Sequence, residues 1–183
     1  LLVCGGDGTL SAAAALWAEG IPIIGIPKTI DNDVPETDYS FGFDTALGHV
    51  VSAVDALHTT AESHDRVIVL EVMGRSTGWI AVCGGLAGGA DVVVAPEHPT
   101  SVHEVCNYVR HRQARGRFFS IIVVAEGARF LPDPDGRGLE IPERLDQFGR
   151  PRYGGVGEIL AREIEARLRT ETRTVTLGFV QRG

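Results

Sequence analysis

The sequence has 183 residues, of which 44% are apolar and 22% charged, with a formal net charge of −7 at pH 7. These values are typical of a globular protein and exclude a disordered chain. The arginines are scattered singly, so the sequence does not indicate a nucleic-acid or membrane surface. An anionic ligand would therefore depend on a few local arginines.

Short β-branched runs alternate with longer segments of helical periodicity. Strands are predicted over 1–4, 21–26, 66–72, 91–95, 118–126 and 172–180, and helices over 9–18, 40–62, 77–88, 101–115 and 154–169. Near-continuous apolar runs favour parallel strands that are buried on both faces. The alternation predicts an α/β fold in which a parallel sheet is layered by helices on both sides, in an α/β/α arrangement.

The segments that follow the predicted strands are unusual. They are GGDGT after the first, PKTIDND after the second, MGRSTG after the third and EGARF after the fifth. In parallel sheets ligands bind at the carboxyl ends of the strands, so these loops predict one site on one rim. The segment 129–155 is long and rich in proline, glycine and charge, and is predicted to be a surface excursion.

The cysteines and the length of the apolar segments indicate the cellular location. Its three cysteines, Cys4, Cys83 and Cys106, lie far apart without metal-binding spacing, which favours reduced thiols in a cytoplasmic protein. No segment approaches the roughly 18 apolar residues of a membrane span. The chain starts at Leu1 inside an apolar run and stops at Gly183 without a terminal element, so we expect the central piece of a longer protein.

GGDGT, from Gly5 to Thr9, has two interpretations. Asp-Gly is a common hairpin turn, but here a helix rather than a second strand follows. Glycines between a strand and a helix let backbone N–H groups approach an anion, and a helix N-terminus favours negative charge. In that case Asp7 is placed to hold Mg²⁺ that bridges phosphate oxygens.

PKTIDND places Asp31 and Asp33 on the same side of an extended loop, so both carboxylates can address one substrate. Neighbouring carboxylates disfavour simultaneous ionisation, which helps one of them to act as a base. A solvated acidic turn is the alternative. Lys28, just upstream, favours a phosphate nearby.

GRSTG, from Gly74 to Gly78, also fits the nucleophile elbow of the α/β-hydrolases, G-x-S-x-G between a strand and a helix. That interpretation requires a later acid and histidine on separate strands, and the sequence leaves little room for them. Four arginines flank strand ends, and for each of them solvation and anion binding both stay open. They are Arg66, Arg75, Arg173 and Arg182.

Taken in order, the motifs resemble those of the 6-phosphofructokinases over essentially the whole chain. They are GGDGT, PKTIDND, TDYSFGFDTA, EVMGRSTGW, AGGADVVVAPE, AEG and GFVQRG. The resemblance implies parts of two Rossmann-like lobes with the site between them. Residues 1–62 would belong to the donor-binding lobe and 63–183 to the sugar-phosphate lobe. It also implies a glycolytic kinase that transfers the terminal phosphoryl of ATP, or of pyrophosphate in one subgroup, to the 1-hydroxyl of fructose 6-phosphate.

The resemblance assigns roles to individual residues. Asp31 is the expected base, with Thr29 beside it, and Arg75 is expected to stabilise charge on the moving phosphoryl group. The donor and its Mg²⁺ are expected at Gly5, Gly6, Asp7, Gly8, Thr9 and Lys28, with Asp7 as the metal ligand. Sugar-phosphate binding is expected from Thr29, Asp31, Asp33, Met73, Gly74, Arg75, Glu126 and Arg182, the last at the 6-phosphate. The sequence departs from many relatives at Phe179, where they carry a histidine.

Arg66 and Arg173 match arginines that in this family reach into the site of a neighbouring subunit. The resemblance therefore implies a homodimer or homotetramer with shared sites. The identity of the phosphoryl donor stays open, because two residues favour different donors. Gly8 leaves room for the α-phosphate of a nucleotide and favours ATP, whereas Lys28 occurs in many pyrophosphate users. ATP is the favoured prediction.

Two other interpretations stay in view. NAD kinases and related lipid kinases also place GGDGT between a strand and a helix, but their likeness ends at Pro27. A non-catalytic relative that binds a sugar phosphate without turnover would be expected to lack Asp7, Asp31 or Arg75, and all three are present.

Overall fold

The computed structural model describes residues 1–142, 145, 147, 149 and 153–183. Two parallel sheets form the frame. The first has the order β1 (Leu2–Gly5), β2 (Ile24–Thr29) and β3 (Phe41–Gly42). The second has the order β5 (Val92–Val94), β7 (Ser120–Ala125), β4 (Val67–Val72) and β9 (Thr172–Thr176). A parallel pair, β6 (Thr100–Ser101) and β8 (Phe130–Leu131), completes the described strands.

Helices connect the strands. They are α1 (Asp7–Ala18), α2 (Phe43–Ser63), α3 (Trp79–Gly88), α4 (Val102–Ala114) and α5 (Val156–Leu168), followed by a 3₁₀ helix over Gly178–Arg182. The α4 helix begins with a capping box, in which the Ser101 hydroxyl accepts from the Glu104 N–H at 3.1 Å and the Glu104 carboxylate accepts from the Ser101 N–H at 3.3 Å. The predicted α/β fold with parallel strands is confirmed.

The second sheet is covered on both faces, which explains its continuous apolar strands. Ile68 and Leu70 of β4 pack in one core with α2 and α3, whereas Val67 and Val69 pack in the other with α4 and α5. All six residues of β4 and of β7 are buried. Alternate side chains thus enter opposite cores, so neither face can be polar. The α/β/α layering of this sheet is confirmed.

Helix α2 buries its apolar face, including Phe43, Val50 and Val54, in the core of the second sheet. It follows directly from β3 of the first sheet and so joins the two sheets. The assignment of 1–62 and 63–183 to separate donor and sugar lobes stays a prediction.

Several predicted boundaries were wrong. The second strand runs over Ile24–Thr29 rather than 21–26, because its register pairs Leu2 with Ile24 and Gly5 with Pro27. The last strand ends at Thr176 instead of 180, since the chain turns into the 3₁₀ helix and buries Gln181 completely. The short strands β3, β6 and β8 were not predicted. Residues 143, 144, 146, 148 and 150–152 of the predicted excursion lie outside the described residues.

Candidate active site

Two adjoining cavities lie at the carboxyl ends of the strands. The first, of about 430 Å³, is lined by Gly6, Lys28, Thr29, Ile30, Asp31, Phe41, Gly42, Met73, Arg75, Glu126 and Arg182. The second, of about 420 Å³, is lined by Gly6, Asp7, Gly8, Thr9, Thr29, Asp31, Asp33 and Arg75. The walls that they share include Asp31 and Arg75. The loops predicted to meet on one rim therefore do meet.

Asp31 lies where the two cavities join. Its backbone N–H donates to the Thr29 hydroxyl at 3.2 Å, and its carbonyl oxygen lies 3.1 Å from the Thr77 hydroxyl. Burial raises the pKa of the Asp31 carboxyl, and the negative charge of Asp33 raises that pKa further, against the opposing effect of Arg75 and Arg182. A carboxyl with a raised pKa is suited to accept a proton from a substrate hydroxyl.

The loop that carries Asp31 is braced from within. Asn32 has a left-handed φ of +52°, and its side-chain oxygen accepts from the Ser40 N–H at 2.9 Å. The Ser40 hydroxyl donates to the Thr29 carbonyl at 2.8 Å. Buried Ser40 thus ties the return of the loop to the end of β2, which fixes the carboxylates on either side of Asn32.

The backbone after β4 is held in an unusual conformation. Arg75 has φ +54°, and its N–H donates to the Glu126 carboxylate at 2.9 Å. Gly74 has φ +142°, and a Cβ there would lie 2.5 Å from the Thr77 carbonyl oxygen. A Cβ on Gly127 would overlap the Arg75 carbonyl oxygen. Only glycine fits at positions 74 and 127. These two glycines therefore determine the backbone path at Arg75 and the direction of its side chain.

Glu126 lines the first cavity together with Asp31. Burial raises the pKa of its carboxyl, against the hydrogen bond from the Arg75 N–H, which lowers the pKa. Its own backbone N–H donates to the Val72 carbonyl at 2.8 Å. Glu126 therefore connects the ends of β7 and β4 and still lines the cavity.

Arg182 enters the first cavity from the 3₁₀ helix. That helix is fixed by Gln181, whose side-chain oxygen accepts from the Met73 N–H at 3.3 Å. The Arg182 guanidinium carbon lies 4.8 Å from the centroid of the exposed Phe179 ring. The lining thus contains three cationic side chains, Lys28, Arg75 and Arg182. They supply the local positive charge that an anionic ligand of an acidic protein requires.

The second cavity is lined by the N-terminus of α1 and by carboxylates. Gly6, Asp7 and Gly8 surround the N-terminus of α1, and the Asp7 carboxylate is exposed. One carboxylate oxygen of Asp33 is buried and has no hydrogen-bond partner among the described residues. The part of the chain that the structure describes holds no group of three or more metal-ligating side chains. A Mg²⁺ ion that binds through one or two carboxylates and phosphate oxygens fits this arrangement.

Four expected site residues do not line these cavities: Gly5, Gly74, Arg66 and Arg173. Gly5 ends β1, and Gly74 shapes the backbone beside Arg75. Arg66 and Arg173 lie at the amino ends of β4 and β9, where Arg66 Nε is 2.8 Å from Glu171 and an Arg173 nitrogen is 2.5 Å from the same carboxylate. This position lies at the opposite end of the sheet from the carboxyl-end rim, and the expected contact with a neighbouring subunit stays a prediction.

Sequence reasoning missed the residues that brace the site. They are Thr77, Ser40, Gln181 and Glu71. Glu71 is buried in β4 and accepts from the Gly157 N–H at 2.7 Å, so it binds the N-terminus of α5. A charged residue within an otherwise apolar strand was the available signal. In the hydrolase interpretation, the exposed Ser76 is the nucleophile and needs a histidine as its base. No histidine is among the described residues that line the two cavities.

Two parallel sheets with a polar site at their carboxyl ends define a Rossmann-like α/β protein, with a cleft lined in part by Lys28, Arg75 and Arg182. The phosphofructokinase family model matches residues 1–183, so the chain belongs to the phosphofructokinase family. This match leaves the hydrolase and NAD kinase interpretations without support. No helix of the described residues is long and apolar enough to cross a membrane.

Related proteins carry two different donor names. A pyrophosphate–fructose 6-phosphate 1-phosphotransferase of Streptomyces coelicolor is 53% identical and covers 100% of this chain and 53% of that protein. An ATP-dependent 6-phosphofructokinase of Corynebacterium efficiens is 49% identical, with 100% and 52% covered. The chain spans about half the length of the curated relatives it matches.

Solved structures agree on the fold. The phosphofructokinase of Saccharomyces cerevisiae matches with a TM-score of 0.79 and 32% identity, covering 100% of this chain and 25% of that one. A pyrophosphate-dependent phosphofructokinase from Marinobacter aquaeolei matches with a TM-score of 0.76 and 26% identity, covering 99% and 44%.

Proposed function

We propose that the full-length protein transfers the terminal phosphoryl group of ATP to the 1-hydroxyl of fructose 6-phosphate, giving fructose 1,6-bisphosphate. The observation that carries this proposal is the position of Asp31, a carboxyl with a raised pKa. It lies between a glycine-rich helix N-terminus on one side and Arg75 and Arg182 on the other. A sugar hydroxyl at Asp31 would therefore face a donor phosphate held by the Gly6–Gly8 loop.

In this reaction the 1-hydroxyl oxygen forms a bond to the terminal phosphorus, and the bond from that phosphorus to the bridging oxygen of ADP breaks. The hydroxyl proton passes to the Asp31 carboxylate. Arg75 compensates the charge that develops on the phosphoryl oxygens. Phosphoryl transfer has a loose transition state, so this positioning and charge compensation supply most of the rate.

The donor binds in the second cavity. Backbone N–H groups of Gly6 and Gly8 and the positive end of α1 face its phosphates, with Thr9 in the same wall and Lys28 in the wall of the adjoining first cavity. Asp7 would hold Mg²⁺, which would supply positive charge to the phosphate oxygens and help to orient them. Besides Asp31, the described residues of this cavity offer the carboxylates of Asp7 and of Asp33, and one oxygen of Asp33 has no hydrogen-bond partner among them.

The sugar phosphate binds in the first cavity. Met73, Glu126 and Thr29 of the first cavity contact the sugar and its hydroxyls, Asp33 reaches it from the adjoining second cavity, and Arg182 binds the 6-phosphate. Arg66 and Arg173 bind the sugar phosphate of a neighbouring subunit, in a homodimer or homotetramer located in the cytoplasm. Their distance from this chain's own cavities supports that assignment.

Pyrophosphate is the second candidate donor, favoured by Lys28 in the wall of the first cavity and by relatives of about equal identity with either name. Gly8 favours ATP. A Cβ built at Gly8 would meet no atom within 4 Å, so the space beside this residue is open to the donor. Turnover with ATP requires that space for the α-phosphate.

The test is an assay of fructose 6-phosphate phosphorylation by the full-length protein with Mg²⁺ and either ATP or pyrophosphate. Turnover with ATP alone supports the proposal, and turnover with pyrophosphate alone assigns the other donor. Binding of fructose 6-phosphate without turnover by either donor would instead identify a non-catalytic relative. A shift in melting temperature with the sugar phosphate reports that binding.

A further inference from the structure

Phe179 and Arg182 form a pair within the 3₁₀ helix. Side chains three residues apart lie above one another in such a helix, because it has three residues per turn. The Arg182 guanidinium carbon accordingly lies 4.8 Å from the centroid of the Phe179 ring, within the range of a cation–π contact. The ring is 75% exposed and contributes no surface to the buried cores.

Arg182 is held in the wall of the first cavity by the rest of the helix. Gln181 is fully buried, accepts from the Met73 N–H at 3.3 Å and donates to the Gly178 carbonyl at 3.3 Å. This anchoring sets the direction of the helix, so Arg182 reaches the lining with Asp31 and Glu126. The Phe179 ring then limits the conformations that the long arginine side chain can adopt.

Arg182 differs from the arginines outside the cavity in how it is held. Arg66 and Arg173 both bind the Glu171 carboxylate. Within the described ranges, by contrast, no salt bridge joins Arg182 to a carboxylate. An aromatic face attracts the guanidinium through its charge and leaves the N–H donors at the edge available, whereas a carboxylate would occupy those donors and compete with an incoming anion.

We propose that Phe179 is a positioning residue that holds the Arg182 guanidinium by its face, with its donors free to bind the 6-phosphate of the sugar. This inference rests on the proposed function, in which Arg182 binds that phosphate. It assigns a use to the position where the sequence departs from the histidine of many relatives.

The test is a titration of the full-length protein with fructose 6-phosphate, in which dissociation constants are measured calorimetrically for a set of variants. Phe179→Leu removes the ring face and is expected to weaken binding about 2- to 5-fold, the range that corresponds to an exposed cation–π contact. Phe179→Tyr retains the ring and is expected to bind as the unmodified protein does. Val180→Ala, a change at the equally exposed next residue, is the matched control and is expected to have no effect.

The decisive comparison repeats Phe179→Leu in an Arg182→Ala background. If Phe179 acts through the guanidinium, its loss has no further effect once Arg182 is gone. Equal weakening in both backgrounds, or weakening by Val180→Ala of the same size, overturns the proposal. Steady-state assays of the same proteins add a second readout, since the KM for sugar phosphate is expected to rise with the donor KM unchanged.

The binding experiment tests the role of Phe179 separately from the proposed phosphotransferase activity. A protein that binds fructose 6-phosphate but does not turn it over disproves the phosphotransferase activity and still gives dissociation constants for every variant. An unmodified protein that does not bind the sugar phosphate overturns both.

Discussion

The Thr77 hydroxyl lies 3.1 Å from the carbonyl oxygen of Asp31 and 3.0 Å from that of Gly74. It therefore joins the loop after β2 to the loop after β4, the two segments that supply the proposed base and the proposed charge-compensating arginine. These loops belong to different sheets, and their relative position decides whether one substrate can contact both.

Replacing Thr77 with valine keeps the shape of the side chain and removes this link. We expect the free energy of unfolding to fall by about 0.5–1.5 kcal/mol, the net contribution of one hydrogen bond. We also expect kcat to fall with little change in the donor KM, because Asp31 is misplaced rather than removed. Thr77→Ser retains the hydroxyl and is expected to recover both values. A valine variant with unchanged kcat at saturating substrates would show that the link has no role in positioning Asp31.

The pKa of Asp31 predicts a specific pH dependence. A base must be ionised, so turnover is lost as the pH falls through the pKa of Asp31, which burial and Asp33 have raised. Asp33→Asn removes one of the two raising effects, and the acid limb of kcat/KM is expected to move to lower pH. The measurement is the midpoint of that limb, which is independent of any loss in absolute rate. Asp55→Asn, an exposed change on α2, is the control, and an identical midpoint for Asp33→Asn would contradict the assignment.

The same pKa relates activity to stability. A carboxyl whose pKa is raised by folding stabilises the protein fully below its unfolded pKa, and this contribution is lost as the pH rises through the folded pKa. At neutral pH the ionised Asp31 therefore opposes folding. Asp31→Asn is expected to lower kcat by about 10²- to 10⁴-fold and to raise the melting temperature at pH 7.5. The gain in melting temperature should disappear below pH 4, where both proteins are neutral at this position, and a loss at pH 7.5 would refute the argument.

Gly8 offers a test of donor selection that does not disturb the fold. Its Cβ position is open, and it lies in the first turn of α1, where an added carboxylate is compatible with the helix dipole. Gly8→Asp is expected to preserve the melting temperature and to raise the KM for ATP by about tenfold or more through repulsion of the α-phosphate. Gly8→Ala controls for size alone. A tenfold rise with alanine as well would mean that the space, and not the charge, selects the donor.

The sequence was sufficient to predict the layered fold and most of the residues in the cavity walls. Continuous apolar strands such as 66–72 and loops such as GGDGT carry their information locally. The braces were not predictable in this way, because Thr77, Ser40 and Gln181 each act through a hydrogen bond to a backbone atom of another segment. The last strand was predicted too long because its end also depends on a contact with a distant segment. Its end at Thr176 depends on the burial of Gln181 against Met73, a contact between residues 108 positions apart.

The two sheets contribute different parts of the site. Gly8 lies in the first turn of α1, which follows β1 of the first sheet, whereas Met73, Glu126 and Arg182 follow strands of the second sheet. Under the proposed assignment, substitutions that exchange one phosphoryl donor for another need not alter the surface that recognises the sugar. Donor preference can then diverge repeatedly within one lineage while acceptor recognition stays constant. Relatives of nearly equal similarity that are named for different donors are the pattern that such independent inheritance produces.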